Sequence, residues 1–167
     1  MKNLLLALFL LTAGSNFAQS ATGYFDTAMK KAEARNFKGA IADYTKAINM
    51  NSQFVEAYQN RGVAKFNLND YKGALADFTK AIELDSMNSD AFAGRANVNY
   101  KLLNFKETIS DCSSCIGLNP KDYIAYNLRA LAYNKIGDKK NCCNDFTKAI
   151  ELGSKSAIKN KATFCKK

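Results

Sequence analysis

The chain has 167 residues, of which 47% are hydrophobic, and carries a formal charge of +9. That length suits one ordinary domain, and the single proline and nine glycines argue against a sheet protein with many tight turns. Histidine is absent, which removes the commonest general base and the commonest zinc ligand.

The beginning of the chain, positions 1–20, differs in character from the rest. Lys2 is followed by the apolar run LLLALFLL and then by small and polar residues. This order is typical of a secretory signal peptide, and the run is too short to span a bilayer. We therefore interpret residues 1–20 as a signal peptide, with a retained membrane anchor as the alternative. We expect an exported mature protein, periplasmic or secreted, that has no integral membrane segment.

From residue 21 onward the chain consists of sequence repeats of equal length. The octapeptide DFTKAIEL occurs twice, at 77–84 and again at 145–152. The repeats are the segments 21–54, 55–88, 89–122 and 123–156, followed by 157–167. Large residues recur at one place and small residues at another, as in the columns Tyr24, Tyr58, Phe92, Tyr126 and Ala28, Gly62, Ala96, Ala130.

Each segment contains two helical patterns separated by a polar break. In the second segment, Tyr58 and Gly62 fall on one helix face, whereas Ala74, Phe78 and Ile82 fall on another. Small residues allow two helix backbones to approach closely, and aromatic residues fill the space beside them. The protein is therefore predicted to be all-α, with each segment forming two antiparallel helices. Residues 157–167 are predicted to form a helix that caps the last repeat.

Positive charge is concentrated at the end of the chain, because residues 121–167 hold 11 basic and four acidic groups. A basic end can attract nucleic acid or anionic membranes. An exported protein seldom meets nucleic acid, however, and these lysines are spread along predicted helices. We therefore interpret them as a solvated surface and expect no nucleic-acid partner.

The period of about 34 residues and the columns resemble those of the tetratricopeptide repeat (TPR) family. The resemblance covers residues 21–156 and is met four times in register. It implies a right-handed solenoid of four helix-turn-helix repeats, TPR 1 to TPR 4, plus a C-terminal capping helix. The sequence departs from the family at the eleventh place, usually aromatic, which holds Lys31, Lys65, Asn99 and Tyr133. It also departs at the thirty-second place, usually proline, which holds Ser52, Ser86, Pro120 and Ser154.

The family resemblance also implies a groove for a protein or peptide, lined by the first helix of each repeat. The residues placed there form a mixed apolar and amide surface, suited to an extended peptide or a partner helix. They are Phe25, Met29, Gln59, Val63, Phe66, Ala93, Asn97, Tyr100, Asn127, Leu131 and Asn134. Packing between repeats is the alternative role for aromatics such as Phe66 and Tyr100. One family subtype binds acidic chain ends through Lys and Asn, but the matching places here are Phe25 and Met29, or Gln59 and Val63.

One column of arginines and one of aspartates recur with the repeat. The arginines are Arg61, Arg95 and Arg129, and each follows an aspartate of the preceding repeat at the same spacing. We predict that they form ion pairs between neighbouring repeats, namely Asp43–Arg61, Asp77–Arg95 and Asp111–Arg129. The alternatives are pairing inside each repeat and solvated charges of little energetic value.

The five cysteines allow three interpretations: apolar packing, a disulfide, or a redox or metal site. Cys115 and Cys142 stand where other repeats have alanine, which favours packing. A redox or metal role for Cys112 and Cys115 is disfavoured because the CSSC run lies in the middle of a predicted helix rather than at an exposed helix start. A four-cysteine zinc site would need this pair to converge with Cys142 and Cys143. The pairing of Cys112, Cys115 and Cys142 stays open.

The end of the chain adds a second resemblance. The stretch from Cys143 to Cys165 resembles the ending of many exported bacterial members of the family, which carry one cysteine in the last repeat and one near the chain end. It implies a Cys143–Cys165 disulfide, which would stabilise a terminal helix that otherwise frays.

The sequence contains no catalytic constellation, since it lacks a phosphate-binding loop, a nucleophile elbow and an acid pair outside the repeat pattern. We expect no enzymatic activity and no cofactor. The favoured function is an exported scaffold that binds a protein or peptide in its groove. The alternatives are a structural subunit of a cell-envelope assembly, acting through its convex face or basic end, and a thiol redox or metal-binding protein. Neither the partner nor the oligomeric state follows from the pattern.

Overall fold

A computed structural model describes residues 20–165, and this range consists of nine α-helices without a strand. The predicted signal peptide lies outside the described residues apart from Ser20. The helices are α1 (Ala21–Glu33), α2 (Phe37–Met50), α3 (Val55–Asn67), α4 (Tyr71–Leu84), α5 (Ser89–Lys101), α6 (Phe105–Leu118), α7 (Tyr123–Lys135), α8 (Lys139–Glu151) and α9 (Lys155–Phe164). The all-α prediction is confirmed. Within the described range, no helix combines the length and the apolar character that crossing a bilayer requires.

Each repeat pairs two helices through the same tight turn. The fifteenth residue of every repeat adopts a left-handed backbone, with φ of 58° at Arg35, 62° at Asn69, 64° at Leu103 and 82° at Gly137. Glycine and asparagine tolerate this conformation, whereas arginine and leucine adopt it at a steric cost. In three repeats the next residue then caps the second helix by accepting a backbone N–H, as the Asn36, Asp70 and Asp138 side chains do.

Small residues lie where the two helices of a repeat meet. Ala28, Ala40 and Ala47 are fully buried, and their counterparts in later repeats are buried too. Tyr44, Phe78 and Phe146, which share one column of the second helices, fill the space beside them. This alternation of small and large side chains is the size pattern that the sequence columns predict.

At each junction between repeats, the first helix of one repeat packs mainly against the second helix of the preceding repeat. Each first helix (α1, α3, α5, α7) contacts the first helices of its neighbours, whereas no second helix contacts another within the described range. The first helices therefore converge on an inner, concave surface, and the second helices diverge on an outer, convex surface. This arrangement confirms the predicted helical-repeat solenoid.

The last helix, α9, occupies the position of a first helix of a fifth repeat. It contacts both α7 and α8, and Ala157 is fully buried between them. The Asn160 side chain donates a hydrogen bond of 3.1 Å to the Asn127 side chain. The ring of Phe164 stacks on Phe146 with the ring centres 6.2 Å apart. Helix α9 thus covers an apolar end that the last repeat would otherwise expose.

Candidate functional site

All eleven predicted groove residues lie on the first helices of the repeats. Val63 and Asn97 are exposed, and the other nine are partly buried. Most side chains of the concave surface are therefore partly packed into the protein and only partly exposed to solvent.

The centre of this surface contains a small apolar pit between α3 and α5. Val63, Phe66, Gly94 and Asn97 surround it and the ring of Phe78 lies at its base, enclosing about 140 Å³. Gly94 creates the opening, since a Cβ at that position would overlap the Phe78 ring. Val63, with 44% of its surface exposed, forms an accessible apolar wall. Sequence reasoning placed Val63, Phe66 and Asn97 in the groove but missed Gly94 and Phe78.

The groove aromatics are held by rings of their own repeats. Phe66 packs on Tyr71 with ring centres 5.5 Å apart, and Tyr100 packs on Phe105 at 5.6 Å. Each also packs against a core cluster that includes a residue of the next repeat, Val98 for Phe66 and Leu128 for Tyr100. The packing role considered from the sequence is therefore present for both residues, and Phe66 additionally forms part of the pit.

Three polar or polarisable groove residues have side-chain partners outside their own helix. The Gln59 side-chain oxygen accepts a hydrogen bond of 2.8 Å from Asn88. The sulfur of Met29 accepts a hydrogen bond of 3.1 Å from the Tyr44 hydroxyl. Asn127 is joined to Asn160 of α9. These contacts fix the groove surface before any ligand arrives.

The predicted ion pairs between repeats are wrong. Instead of Asp43–Arg61, Asp77–Arg95 and Asp111–Arg129, the structure pairs Arg61 with Asp77, Arg95 with Asp111 and Arg129 with Asp145, each at 2.7 Å. Both members of each pair belong to one repeat, which was the alternative considered. The antiparallel helices of one repeat touch along their length, so an arginine midway along the first helix meets the aspartate midway along the second. Asp43, whose repeat has no arginine in this column, pairs with Lys31 and Lys46.

The arginines nevertheless connect neighbouring repeats through hydroxyl groups. Their Nη1 atoms donate to a hydroxyl of the preceding repeat: Arg61 to Thr45 at 3.0 Å, Arg95 to Thr79 at 3.4 Å and Arg129 to Ser113 at 2.9 Å. The sequence carried a signal for this contact, because a hydroxyl recurs at the second position after every aspartate of the column.

The CSSC cysteines lie in the middle of α6, where Cys112 and Cys115 are almost fully buried. Burial raises the pKa of the Cys112 thiol well above its usual range. Burial, together with the nearby Asp122 carboxylate, raises the pKa of Cys115 to about 12. The Cys115 thiol donates a hydrogen bond of 3.4 Å to Asp122. Thiols that stay protonated and buried are poor nucleophiles and poor metal ligands.

The other three cysteines meet where α8 contacts α9. The sulfur atoms of Cys143 and Cys165 lie 2.08 Å apart and their Cα atoms 5.7 Å apart, which is a bonded arrangement. The Cys142 sulfur lies within 4.8 Å of both, but Cys142 is a free, fully buried thiol. The four-cysteine zinc site would have joined Cys142 and Cys143 to the CSSC pair, whereas the structure gathers them with Cys165. Three reduced thiols here could ligate a soft metal ion, but the Cys143–Cys165 bridge leaves only the Cys142 thiol of these three.

Two family models, both described as tetratricopeptide repeat, match this chain at residues 55–88 and 123–153. Comparison with curated proteins gave no match.

Solved structures with a similar fold include MamA 41-end from Desulfovibrio magneticus RS-1, with a TM-score of 0.76 and 22% identity over 80% of this chain and 75% of that one. YrrB, a TPR protein with an unusual peptide-binding site, has a TM-score of 0.74 and 24% identity over 81% and 70%. The first TPR of Spaghetti (RPAP3), bound to the HSP90 peptide SRMEEVD, has a TM-score of 0.70 and 22% identity over 71% and 94%. At these identities the likeness concerns the fold alone.

Proposed function

Because the chain belongs to the tetratricopeptide repeat family, we propose that it is an exported, non-enzymatic scaffold that binds an extended peptide segment of a partner protein in its concave groove. The apolar pit between α3 and α5 carries this proposal. At about 140 Å³, the pit is several times larger than the roughly 30 Å³ that a water molecule occupies. It accommodates one apolar side chain of a peptide that crosses the first helices.

The chemistry around the pit indicates which peptides fit. Its walls are the aliphatic Val63 and the aromatic Phe66, and its polar member is the neutral amide of Asn97. An apolar side chain would bury carbon surface here, gaining about 25 cal/mol for each Å² removed from water. The positions that match a carboxylate-binding groove hold Phe25, Met29, Gln59 and Val63. We therefore propose a peptide held by an apolar anchor rather than by an acidic chain end.

Similar folds support the peptide class of ligand. YrrB has a peptide-binding site, and the RPAP3 domain was solved with a bound peptide. Export is supported by the charged start and apolar run of residues 1–20. The pairing of Cys143 with Cys165 also supports it, because disulfides persist mainly in oxidising compartments.

A peptide-display selection on the mature chain, residues 21–167, tests the proposal. We expect enriched peptides to share an apolar residue and to lose binding to Val63→Glu, which places a charge on the wall of the pit. The matched control is Met87→Glu, since Met87 is 71% exposed and lies in the loop between α4 and α5. Peptides that bind Val63→Glu as well as the unmodified chain would contradict the proposal. Binding that instead falls steeply with salt would favour the basic C-terminal end.

A further inference from the structure

The third repeat lacks an internal cation that the first two repeats contain. In repeat 1 the Lys31 ammonium contacts the buried Asp43 carboxylate, and in repeat 2 the Lys65 ammonium contacts Asp77 at 2.7 Å. The same place in repeat 3 is Asn99. Its uncharged amide donates a hydrogen bond of 3.0 Å to the Asp111 carboxylate. The shorter side chain preserves one hydrogen bond but brings no positive charge.

An open cavity of about 420 Å³ lies at this place on the convex side. Its walls come from two second helices, with Leu75 and Thr79 on α4 and Glu107 and Asp111 on α6. Arg95 and Asn99 of α5 complete the lining from the first-helix layer. The cavity is therefore separate from the concave pit, which opens between α3 and α5.

Repeat 2 shows where an ammonium would sit in this cavity. There the Lys65 ammonium lies between the Asp77 carboxylate and the Gly73 backbone oxygen, at 2.7 Å and 3.5 Å. The residues at those places in repeat 3 are Asp111 and Glu107. The corresponding position is thus flanked by one buried carboxylate and by a residue that adds a second carboxylate.

The charges of the cavity lining favour a cation. Arg95 neutralises Asp111 through an ion pair of 2.7 Å. Glu107 is exposed, and its carboxylate forms no ion pair with any residue from 20 to 165. One negative charge is therefore left over beside a partly enclosed cavity, where opposite charges attract more strongly than in open water.

We propose that this cavity binds the side chain of a lysine from a partner protein, with its ammonium between Glu107 and Asp111. In repeats 1 and 2, Lys31 and Lys65 place an ammonium beside the equivalent aspartate. The site gives the convex face a contact that depends on a single cation. It is independent of the peptide groove on the concave face.

A titration followed by NMR tests this site, with the peptide acetyl-Gly-Lys-Gly-amide as the probe. We expect saturable shifts of the Asn99 side-chain amide and the Arg95 Nε–H signal. The norleucine peptide, which has the same stem without the charge, should produce none. Butylamine, which carries the ammonium without a peptide backbone, should bind more weakly. Equal shifts with norleucine, or no saturation with lysine, would overturn the proposal, and equal binding of butylamine would overturn its assignment to a partner protein.

Four variants sharpen the test. Asn99→Lys supplies an internal ammonium and should abolish binding, whereas Glu107→Gln should weaken it at least about fivefold. Lys65→Asn should leave the stoichiometry at one, because repeat 2 has Gly73 where repeat 3 has Glu107 and Arg61 already pairs with Asp77. Val63→Glu, in the concave pit, should leave lysine binding unchanged, so a failure of the groove proposal is distinguishable from a failure here. Undiminished binding to both Asn99→Lys and Glu107→Gln would overturn the proposal.

Discussion

At Gly94 a missing side chain shapes the concave groove. A Cβ there would overlap the buried Phe78 ring, so the ring would have to move within a close-packed core. We expect Gly94→Ala to lower the free energy of unfolding by about 1–3 kcal/mol and to close the pit. Urea unfolding measures the first effect.

The matched control is Gly117→Ala. Gly117 lies in α6, and an added Cβ would meet no heavy atom within 4 Å among the described residues. Replacing a helical glycine with alanine at an unobstructed position stabilises by roughly 0.5–1 kcal/mol. The two variants should therefore shift stability in opposite directions. Equal shifts would show that Phe78 does not constrain Gly94.

The Asp43 carboxyl should make the free energy of unfolding depend on pH. Its hydrogen bond from the Lys31 ammonium lowers the pKa of this carboxyl most, burial opposes that effect, and Lys46 lowers the pKa further, so the net direction is down. A depressed folded-state pKa contributes stability that is fully present above the unfolded value of about 4. That stability is lost as the pH falls through the folded pKa.

We therefore expect Lys31→Met to cost more stability at pH 6 than at pH 3, because the partner carboxyl becomes protonated in acid. Urea unfolding across that range gives the comparison. Lys72→Met serves as the control, since Lys72 is exposed and has no ion pair between residues 20 and 165. A Lys31→Met penalty that stays constant with pH would contradict the prediction.

Residue pairing was the feature least predictable from the sequence, and Arg61 shows why. The repeat columns offer this arginine two aspartates, Asp77 ahead of it at a sequence separation of 16 and Asp43 behind it at a slightly larger one. Helical periodicity does not choose between them, because the choice depends on how closely the two kinds of neighbouring helices approach. The two helices of one repeat approach each other more closely than helices of neighbouring repeats do, so the guanidinium of Arg61 pairs with Asp77.

Among the elements, α9 has the most to gain from a covalent link. It is ten residues long, and helices of that length are marginal in isolation. Closing a loop with a sequence separation of 22 contributes about 3 kcal/mol on the chain-entropy account. We therefore expect Cys165→Ser to lower the unfolding free energy by about that amount and Cys142→Ser to have a smaller effect.

Intact mass with alkylation checks the bridge directly. Denatured, unreduced protein should take up three alkyl groups, one on each of Cys112, Cys115 and Cys142. Uptake of five would contradict the bridge. Reduction should add two further groups and should abolish the stability difference between Cys165→Ser and the unmodified chain.

The capping role of α9 could be predicted from the sequence, whereas its detailed contacts could not. A solenoid must cover the apolar face of its last repeat. The short segment that follows the fourth repeat was therefore predicted to form a capping helix. The stacking of Phe164 on Phe146 and the Asn160–Asn127 hydrogen bond depend on the angle at which α9 docks. The turn between α8 and α9 contains Gly153, which has a φ of 98°.

Among residues 20–165, each repeat contacts only its neighbours. Stability in such arrays is approximately a sum of repeat and interface terms, so local opening should follow position along the solenoid. We expect amide hydrogens of α1 and α2, which have one neighbouring repeat, to exchange faster than those of α5 and α6. Hydrogen exchange read by mass spectrometry measures this gradient, and uniform exchange across all helices would contradict it.

The architecture was predictable because the same pattern of large and small residues appears four times in the sequence. A deviation at one position of one repeat therefore does not obscure the pattern. Candidate sites are less predictable because they arise where one repeat differs from the others. Asn99 stood out as a departure from the eleventh-place column, but the cavity beside it depends on Glu107 and Thr79, which lie on two other helices. Comparing the repeats column by column detects the asparagine in place of lysine. It does not reveal the cavity beside that residue.

The closure of each arginine–aspartate pair inside a repeat has a consequence for how such a chain can grow. A unit copied from residues 55–88 carries Arg61 and Asp77 together, so duplication inserts a cation with its own counter-ion. The junction then requires a hydroxyl from whichever unit comes before, and Thr45 and Thr79 supply chemically equivalent acceptors for that contact. Had the pairs spanned the junctions, every insertion would have broken one pair and required two new ones. In this molecule each repeat instead contains both members of its ion pair. Tandem duplication can therefore lengthen the solenoid without changing the existing ion pairs.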